Sequence, residues 1–146
     1  MDISIVILNY KSKGHTLNCI KSIEEADFIL DEKKITYEII VVDNDSGDSI
    51  GEVLNWQHPN VEFIQNNKNL GMGAGNNVGI KKAKGDWILI LNNDTVLNKN
   101  FLKELNKNKS SSDKPLDNEN SLSIDLPWEV QSYYIMILLE GKLGGI

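Results

Sequence analysis

Near-continuous apolar runs alternate along this chain with stretches in which apolar residues recur at helical spacing. Residues 4–8, 37–42 and 87–91 are runs rich in β-branched residues, the pattern of strands covered on both faces, as in a parallel sheet. Residues 61–64 form a shorter run of the same kind. In residues 16–26, Leu17, Ile20, Ile23 and Ala26 recur at every third position, with Thr16 placed to cap the first turn of a helix. A second helix is expected over 49–56, ended by His58 and Pro59. An Asn/Gly-rich loop over 66–75 precedes a third helix at 76–84, with Gly85 placed to end it in the left-handed conformation. A short fourth helix is expected near 99–105. Strand and helix alternate throughout, which predicts the α/β class with a mainly parallel, right-handedly wound central sheet, Rossmann-like in layout.

The pattern changes after residue 105. Residues 106–120 are dominated by Asn, Lys, Ser and Asp, the composition of a polar linker. The chain therefore divides into a folded unit at 1–105, a linker at 106–120 and a short tail at 121–146. The tail holds one apolar run, 133–139, which reads as a buried strand and falls short of the ~20 residues needed to span a bilayer. Asp2 stands where a signal peptide would carry positive charge, and the apolar run behind it is shorter than an h-region. Neither export nor a membrane anchor is expected. Cys19 is the only cysteine, so no intrachain disulfide can form; a small buried apolar residue in a reducing, cytoplasmic setting is the simpler reading. A formal net charge of −6 argues against nucleic acid as a partner, because a phosphate-backbone binder needs a basic face.

Ligands of an open parallel sheet bind outside the carboxyl ends of its strands, where loops and helix N-termini converge. Four polar clusters of this chain fall there. Asn9 and Tyr10 follow the first strand, and Asp43, Asn44, Asp45 and Ser46 the second. The glycine-rich loop follows the third strand, and Asn92, Asn93 and Asp94 the fourth. Any one cluster could be turn chemistry; four on one edge point to a site. The glycine loop lacks the Gly-x-Gly-x-x-Gly spacing and first-strand position of a dinucleotide fingerprint, and lacks the Lys-Ser/Thr of a P-loop. Its glycines instead permit close backbone approach to phosphate or sugar oxygens.

Residues 5–10 (IVILNY), 40–46 (IVVDNDS), 69–79 (NLGMGAGNNVG) and 83–95 (AKGDWILILNNDT) resemble, in order and spacing, the successive motifs of family 2 glycosyltransferases, especially the rhamnosyltransferase-like branch. The resemblance covers residues 3–105 and implies a GT-A nucleotide-sugar-binding half. By that resemblance Leu8, Asn9 and Tyr10 line the base and ribose. Asp43, flanked by Asn44 and Ser46, accepts the N3–H of a pyrimidine, which implies a UDP- or dTDP-sugar. Asn69, Gly71, Gly75, Asn76 and Asn77 edge the donor pocket. Asn92, Asn93 and Asp94 stand at the family's Asp-x-Asp motif, with Asp94 as the carboxylate for Mg²⁺ or Mn²⁺ bridging the diphosphate. Asn92 departs from that motif, since an amide oxygen is a neutral ligand.

Inverting transfer to a saccharide acceptor also needs a general base, which the family keeps in a later, acceptor-binding half. Beyond the linker the carboxylates are Asp125, Glu129 and Glu140, and none sits in a matching motif. No catalytic residue is assigned. Three readings stay open: a glycosyltransferase of cell-surface polysaccharide assembly, a catalytically deficient nucleotide-sugar-binding fragment truncated or degenerate at its C-terminus, and a non-enzymatic scaffold domain. The expectation is a chain that holds a sugar donor better than it transfers one.

Overall fold

The computed structural model of this 146-residue chain describes residues 1–109 and 138–140. Strand β1 (Ile3–Asn9) leads into helix α1 (Lys13–Glu25), then a small hairpin of β2 (Ile29–Leu30) and β3 (Lys33–Lys34). Strand β4 (Tyr37–Asp43), helix α2 (Ile50–Gln57), strand β5 (Glu62–Gln65), helix α3 (Met72–Ile80) and strand β6 (Trp87–Leu91) follow, then helix α4 (Phe101–Lys109) and strand β7 (Leu138–Glu140). The main sheet has the order β5-β4-β1-β6-β7. Its first four strands are parallel, and β7 runs antiparallel to β6. The α/β class with a mainly parallel sheet is therefore observed.

The apolar runs are buried on both faces as their pattern requires: Ile5, Val6, Ile7, Ile40, Val41 and Val42 are all fully enclosed. One face carries Ile3, Ile5, Ile7 and Val41 against Cys19, Ile20 and Ile23 of α1, extended by Phe101, Leu102 and Leu105 of α4. The other carries Val6, Ile88 and Ile90 against Ile80 and Ala83. The chain steps outward from β1 to β4 to β5, then returns to the far side of β1 as β6. The strand order thus reverses between β1 and β6, which is where such sheets open a crevice.

Several expectations are corrected. Helix α1 starts at Lys13, three residues before Thr16, so the capping position belongs to Ser12. Thr16 is instead fully buried, and its Oγ1 donates to Asn9 Oδ1 at 2.7 Å. The last four residues of the expected glycine-rich loop, 72–75, are helix, because α3 begins at Met72 rather than 76. Its buried Gly75 and Gly79 lie four apart on the face against the sheet, where a Cβ on Gly79 would come within 2.5 Å of Val6 Cγ1. Close packing thus overrides the poor helix propensity of glycine. The helix ends at Ile80, and Gly85 is not in the left-handed region. Gly85 is required for space, since a Cβ there would sit 2.5 Å from the Ser4 amide nitrogen. The hairpin was not anticipated, because its turn residues Asp31 and Glu32 both adopt positive φ without the Asn-Gly signature of such turns. Helix α4 runs on to Lys109, past the expected end at 105. Of the expected strand at 133–139, β7 covers the last two residues and runs to Glu140; residues 133–137 lie outside the described residues. No helix among the described residues is long and apolar enough to cross a membrane.

Candidate functional site

The parallel register sets Asn9 beside Asp43 and Asp43 beside Gln65, so three strand ends finish flush on one edge. Asp43 is only 2% exposed, and both of its oxygens are engaged. Oδ1 accepts from Asn9 Nδ2 at 2.8 Å and from the Ser46 hydroxyl; Oδ2 accepts from the Ser46 amide at 3.0 Å and from Gln65 Nε2 at 2.9 Å. A carboxylate offers about four lone-pair sites, and here protein donors fill them all. Burial alone pushes its pKa up, but the donors of Ser46, Asn9 and Gln65 together outweigh it and hold the carboxyl below the usual range. Asn9 Nδ2 also reaches Ser46 Oγ and Asp48 Oδ2, each at 3.1 Å.

Asn44, equally enclosed, ties the edge to the start of α3. Its Nδ2 donates to Asn69 Oδ1 and to the Gly71 carbonyl, both at 3.1 Å, and its Oδ1 accepts from Asn66 Nδ2 at 3.0 Å. Gly71, with φ of +81°, makes the turn into the helix, and its amide donates to Asn69 Oδ1 at 2.8 Å. Gly75 is packed under the site: a Cβ there would lie 2.7 Å from Leu8 Cδ1 and 2.9 Å from Asn44 Nδ2. Glycine here keeps the helix against the pocket wall.

A cavity of about 290 Å³ opens at the strand-order reversal. Leu8, Tyr10, Asn44, Asn69, Gly71, Asn76, Asn92 and Asn93 line it. These are eight of the residues singled out in the sequence. Asn9, Asp43 and Ser46 form a hydrogen-bonded layer next to the cavity without lining it, and Asn77 is exposed outside it. Ser12, Met72 and Leu91 also line the cavity. Met72 and Leu91 lie within two of the motifs and Ser12 just past another, but a methionine, a strand-end leucine and a serine carry no chemical signal of their own. Asn76 Oδ1 is buried and has no hydrogen-bond partner among the described residues. Such an atom calls for an explanation, and a hydrogen-bond donor on a ligand would supply one.

Asn92, Asn93 and Asp94 form a turn closed by the Thr95 amide donating to the Asn92 carbonyl at 3.1 Å. Asn93 Nδ2 donates to Ser12 Oγ and, at 3.1 Å, to Thr16 Oγ1, which itself donates to Asn9. A continuous chain of bonds thus runs from Asn93 through Thr16 and Asn9 to Asp43. Asp94 is exposed and caps no helix, since residues 95–98 are not helical. No three His, Cys, Asp or Glu side chains cluster as a metal cage among the described residues. One carboxylate beside neutral amides suits Mg²⁺ or Mn²⁺ held largely by ligand phosphates. Behind the turn, burial pushes the Cys19 thiol up to about 12, with Asp94 adding to the shift. Cys19 is therefore the inert, buried residue expected.

Comparison with known proteins bears on the family and the fold. The family described as glycosyl transferase family 2 matches residues 4–111. The chain is 32% identical over 109 residues to the low-salt glycan biosynthesis hexosyltransferase Agl10 of Haloferax volcanii, covering 71% of this chain and 31% of that protein. It is 28% identical over 108 residues to the poly(ribitol-phosphate) β-N-acetylglucosaminyltransferase TarS of Staphylococcus aureus, covering 71% of this chain and 18% of that one. The chain thus spans less than a third of either relative. Among solved structures, S. aureus TarS 1–349 superposes with a TM-score of 0.63 at 22% identity, over 84% of this chain and 40% of that one. The same protein in complex with UDP-GlcNAc gives 0.62 at 22% identity, over 84% of this chain and 38% of that one. The mannosyltransferase PcManGT of Pyrobaculum calidifontis, in complex with GDP-Man and Mn²⁺, gives 0.59 at 18% identity, over 77% of this chain and 32% of that one. These structural likenesses speak for the fold, and the family match over most of the chain speaks for descent. The chain belongs to glycosyl transferase family 2 and has its GT-A-type α/β fold.

Proposed function

We propose that this chain binds the donor of a glycosyl transfer, a UDP- or dTDP-sugar, together with Mg²⁺ or Mn²⁺, for transfer to a saccharide acceptor in polysaccharide assembly. The observation that carries the reading is convergence: motifs from four separate strand ends meet around one cavity at the strand-order reversal. In this arrangement the base lies against Tyr10 at the Asp43 end, and the sugar and diphosphate extend past Asn69 and Asn76 toward Asn92. Asp43 takes the pyrimidine N3–H, a donor that uracil and thymine share, only as one of the protein donors that fill its lone pairs gives way. Asp94 and the Asn92 amide hold the cation, which offsets the charge of a leaving nucleoside diphosphate in a protein of net charge −6. Asn92 in place of a carboxylate supports the rhamnosyltransferase-like branch. The single buried Cys19 fits a cytoplasmic setting.

A thermal-shift panel of UDP, dTDP, GDP and NAD, each with Mn²⁺ or chelator, tests this. A ligand at about 100 times its Kd adds roughly 2.7 kcal/mol, which means several degrees for a domain of this size. UDP or dTDP should shift the transition, and more so with Mn²⁺. Equal shifts by GDP or NAD, or none by any nucleotide, would sink the reading.

One observation favours donor holding over turnover by the described residues. Among the described residues no carboxylate or imidazole lines the cavity, so its wall lacks the usual general base of such a transfer. A positioned base contributes typically about 10²–10⁴-fold. With UDP- and dTDP-sugars and a mixed acceptor extract, this chain is expected to release nucleoside diphosphate slowly and without acceptor dependence. Acceptor-dependent release on the order of 1 s⁻¹ or faster would overturn that expectation.

A further inference from the structure

We infer that Asn76 reads a ring hydroxyl of the bound donor, on its ribose or on the sugar it carries. The inference rests on the donor-binding reading above and follows from which hydrogen-bonding capacity in the cavity wall is already spent. Asn44 has none left: its Nδ2 donates to Asn69 Oδ1 and to the Gly71 carbonyl, and its Oδ1 accepts from Asn66 Nδ2 and from the Leu70 amide at 3.3 Å. Asn69 Oδ1 accepts twice, from Asn44 and from the Gly71 amide. The Nδ2 group of Asn93 is committed to Ser12 and Thr16. Asn92 stands at the turn that holds the cation in the reading above.

Asn76 differs from these. It lies in the second turn of α3, next to Gly75, and lines the cavity. Its Oδ1 is enclosed and unpartnered, and its Nδ2 makes no hydrogen bond either, among the described residues. An enclosed polar atom without a bond is costly, and a group arriving from outside the chain repays that cost. No hydrogen bond anchors the amide, so turning it to present Oδ1 to the cavity breaks none. The rest of the wall indicates the chemistry of the arriving group. Leu8, Tyr10, Met72 and Leu91 give apolar surface, and no charged side chain lines the cavity among the described residues. Such a wall serves a diphosphate poorly. It suits a furanose or pyranose ring, which is apolar on its C–H faces and hydroxylated at its rim. A hydroxyl both donates and accepts, so adjacent hydroxyls of one ring can engage Oδ1 and Nδ2 together.

Calorimetric titration of the full chain with UDP, 2′,3′-dideoxy-UDP and UDP-glucose, each with Mn²⁺, tests this in wild type and in Asn76→Leu. Leucine keeps the size of the side chain and removes both polar ends. A loss of about fivefold, the net worth of one hydrogen bond, is expected for the ligands that carry the hydroxyl, with no loss for dideoxy-UDP. Losses for both UDP and UDP-glucose place the hydroxyl on the ribose; a loss for UDP-glucose alone places it on the carried sugar. Asn76→Ala serves as the second variant if the leucine form does not fold. No loss for any ligand, or an equal loss that includes dideoxy-UDP, would overturn the inference while leaving the donor-binding reading intact. Wild-type protein that binds neither these ligands nor dTDP would instead overturn that reading and this inference with it.

Discussion

Asp43→Ala is expected to abolish uridine-nucleotide binding with or without Mn²⁺ and to destabilise the fold by at least about 3 kcal/mol. The carboxylate anchors four donors from Asn9, Ser46 and Gln65. Hydrogen bonds to a charged group are worth roughly 1.5–3 kcal/mol each, and a buried donor left unpaired costs about 1–3 kcal/mol. Asn9 is fully buried, so its amide cannot turn to water; Gln65 is exposed and can. The loss is thus several bonds' worth less what water restores. The same carboxylate predicts a pH dependence. Its pKa is lowered in the folded state, so the stabilisation is fully present above the unfolded value of 3.8 and is lost as pH falls through the lower folded value. Denaturant unfolding of wild type should therefore weaken below about pH 4, and the variant should lack that part of the acid dependence. Wild-type stability in Asp43→Ala would show that the network does not hold the edge together. Undiminished UDP binding by the variant would remove Asp43 from the base subsite.

Asp94→Asn should behave in the opposite way, removing the Mn²⁺-dependent part of UDP binding and leaving stability and metal-free binding unchanged. The side chain is exposed, and no hydrogen bond within the described residues depends on it. Surface changes of this kind stay within about 0.5 kcal/mol. The substitution keeps the shape and deletes the charge, which is the property a cation requires. Asn92 and Asn93 offer only neutral amides, and Asn93 Nδ2 is committed to Ser12 and Thr16, so neither can replace the charge. Calorimetry of UDP with and without Mn²⁺ should show the two curves of the variant superimposing. A retained Mn²⁺ increment would place the cation elsewhere.

The two variants together separate the ends of the site. Loss at Asp43 is indifferent to metal, and loss at Asp94 is metal alone. The bond chain from Asn93 through Thr16 to Asn9 nevertheless joins the two ends physically. Thr16 shows why the site was only partly legible. From sequence it is a helix-capping threonine, and that is sound local chemistry. In the fold the helix begins three residues earlier, and the hydroxyl turns inward to bridge β1 and the Asn93 turn.

The strands could be read because burial on both faces leaves a signature in consecutive residues: β6 begins and ends where its apolar run does, and β1 and β4 extend theirs by one or two residues. The alternation of those runs with helical spacing is local too, and it sufficed for the α/β class and for placing all four polar clusters on one sheet edge. The glycines were visible, but their purpose was not. Gly75 and Gly79 belong to a helix whose neighbours, Leu8 and Val6, lie about seventy residues away in sequence. The hairpin at Asp31 and Glu32 was equally hidden, since its positive φ values are imposed on residues that do not ask for them. What only the tertiary structure decided is which polar atoms of the edge are spent and which are free. Asn9, Asp43 and Asn44 look alike as candidate ligand-binding groups in the sequence, yet their hydrogen bonds are filled by one another and by Ser46, Gln65, Asn66 and Asn69. Asn76 Oδ1 is left without a partner among the described residues. Residue type states how many hydrogen bonds a group can make; occupancy depends on neighbours brought from 34 or 22 positions away, as Asn9 and Gln65 are to Asp43, and only the folded chain brings them there.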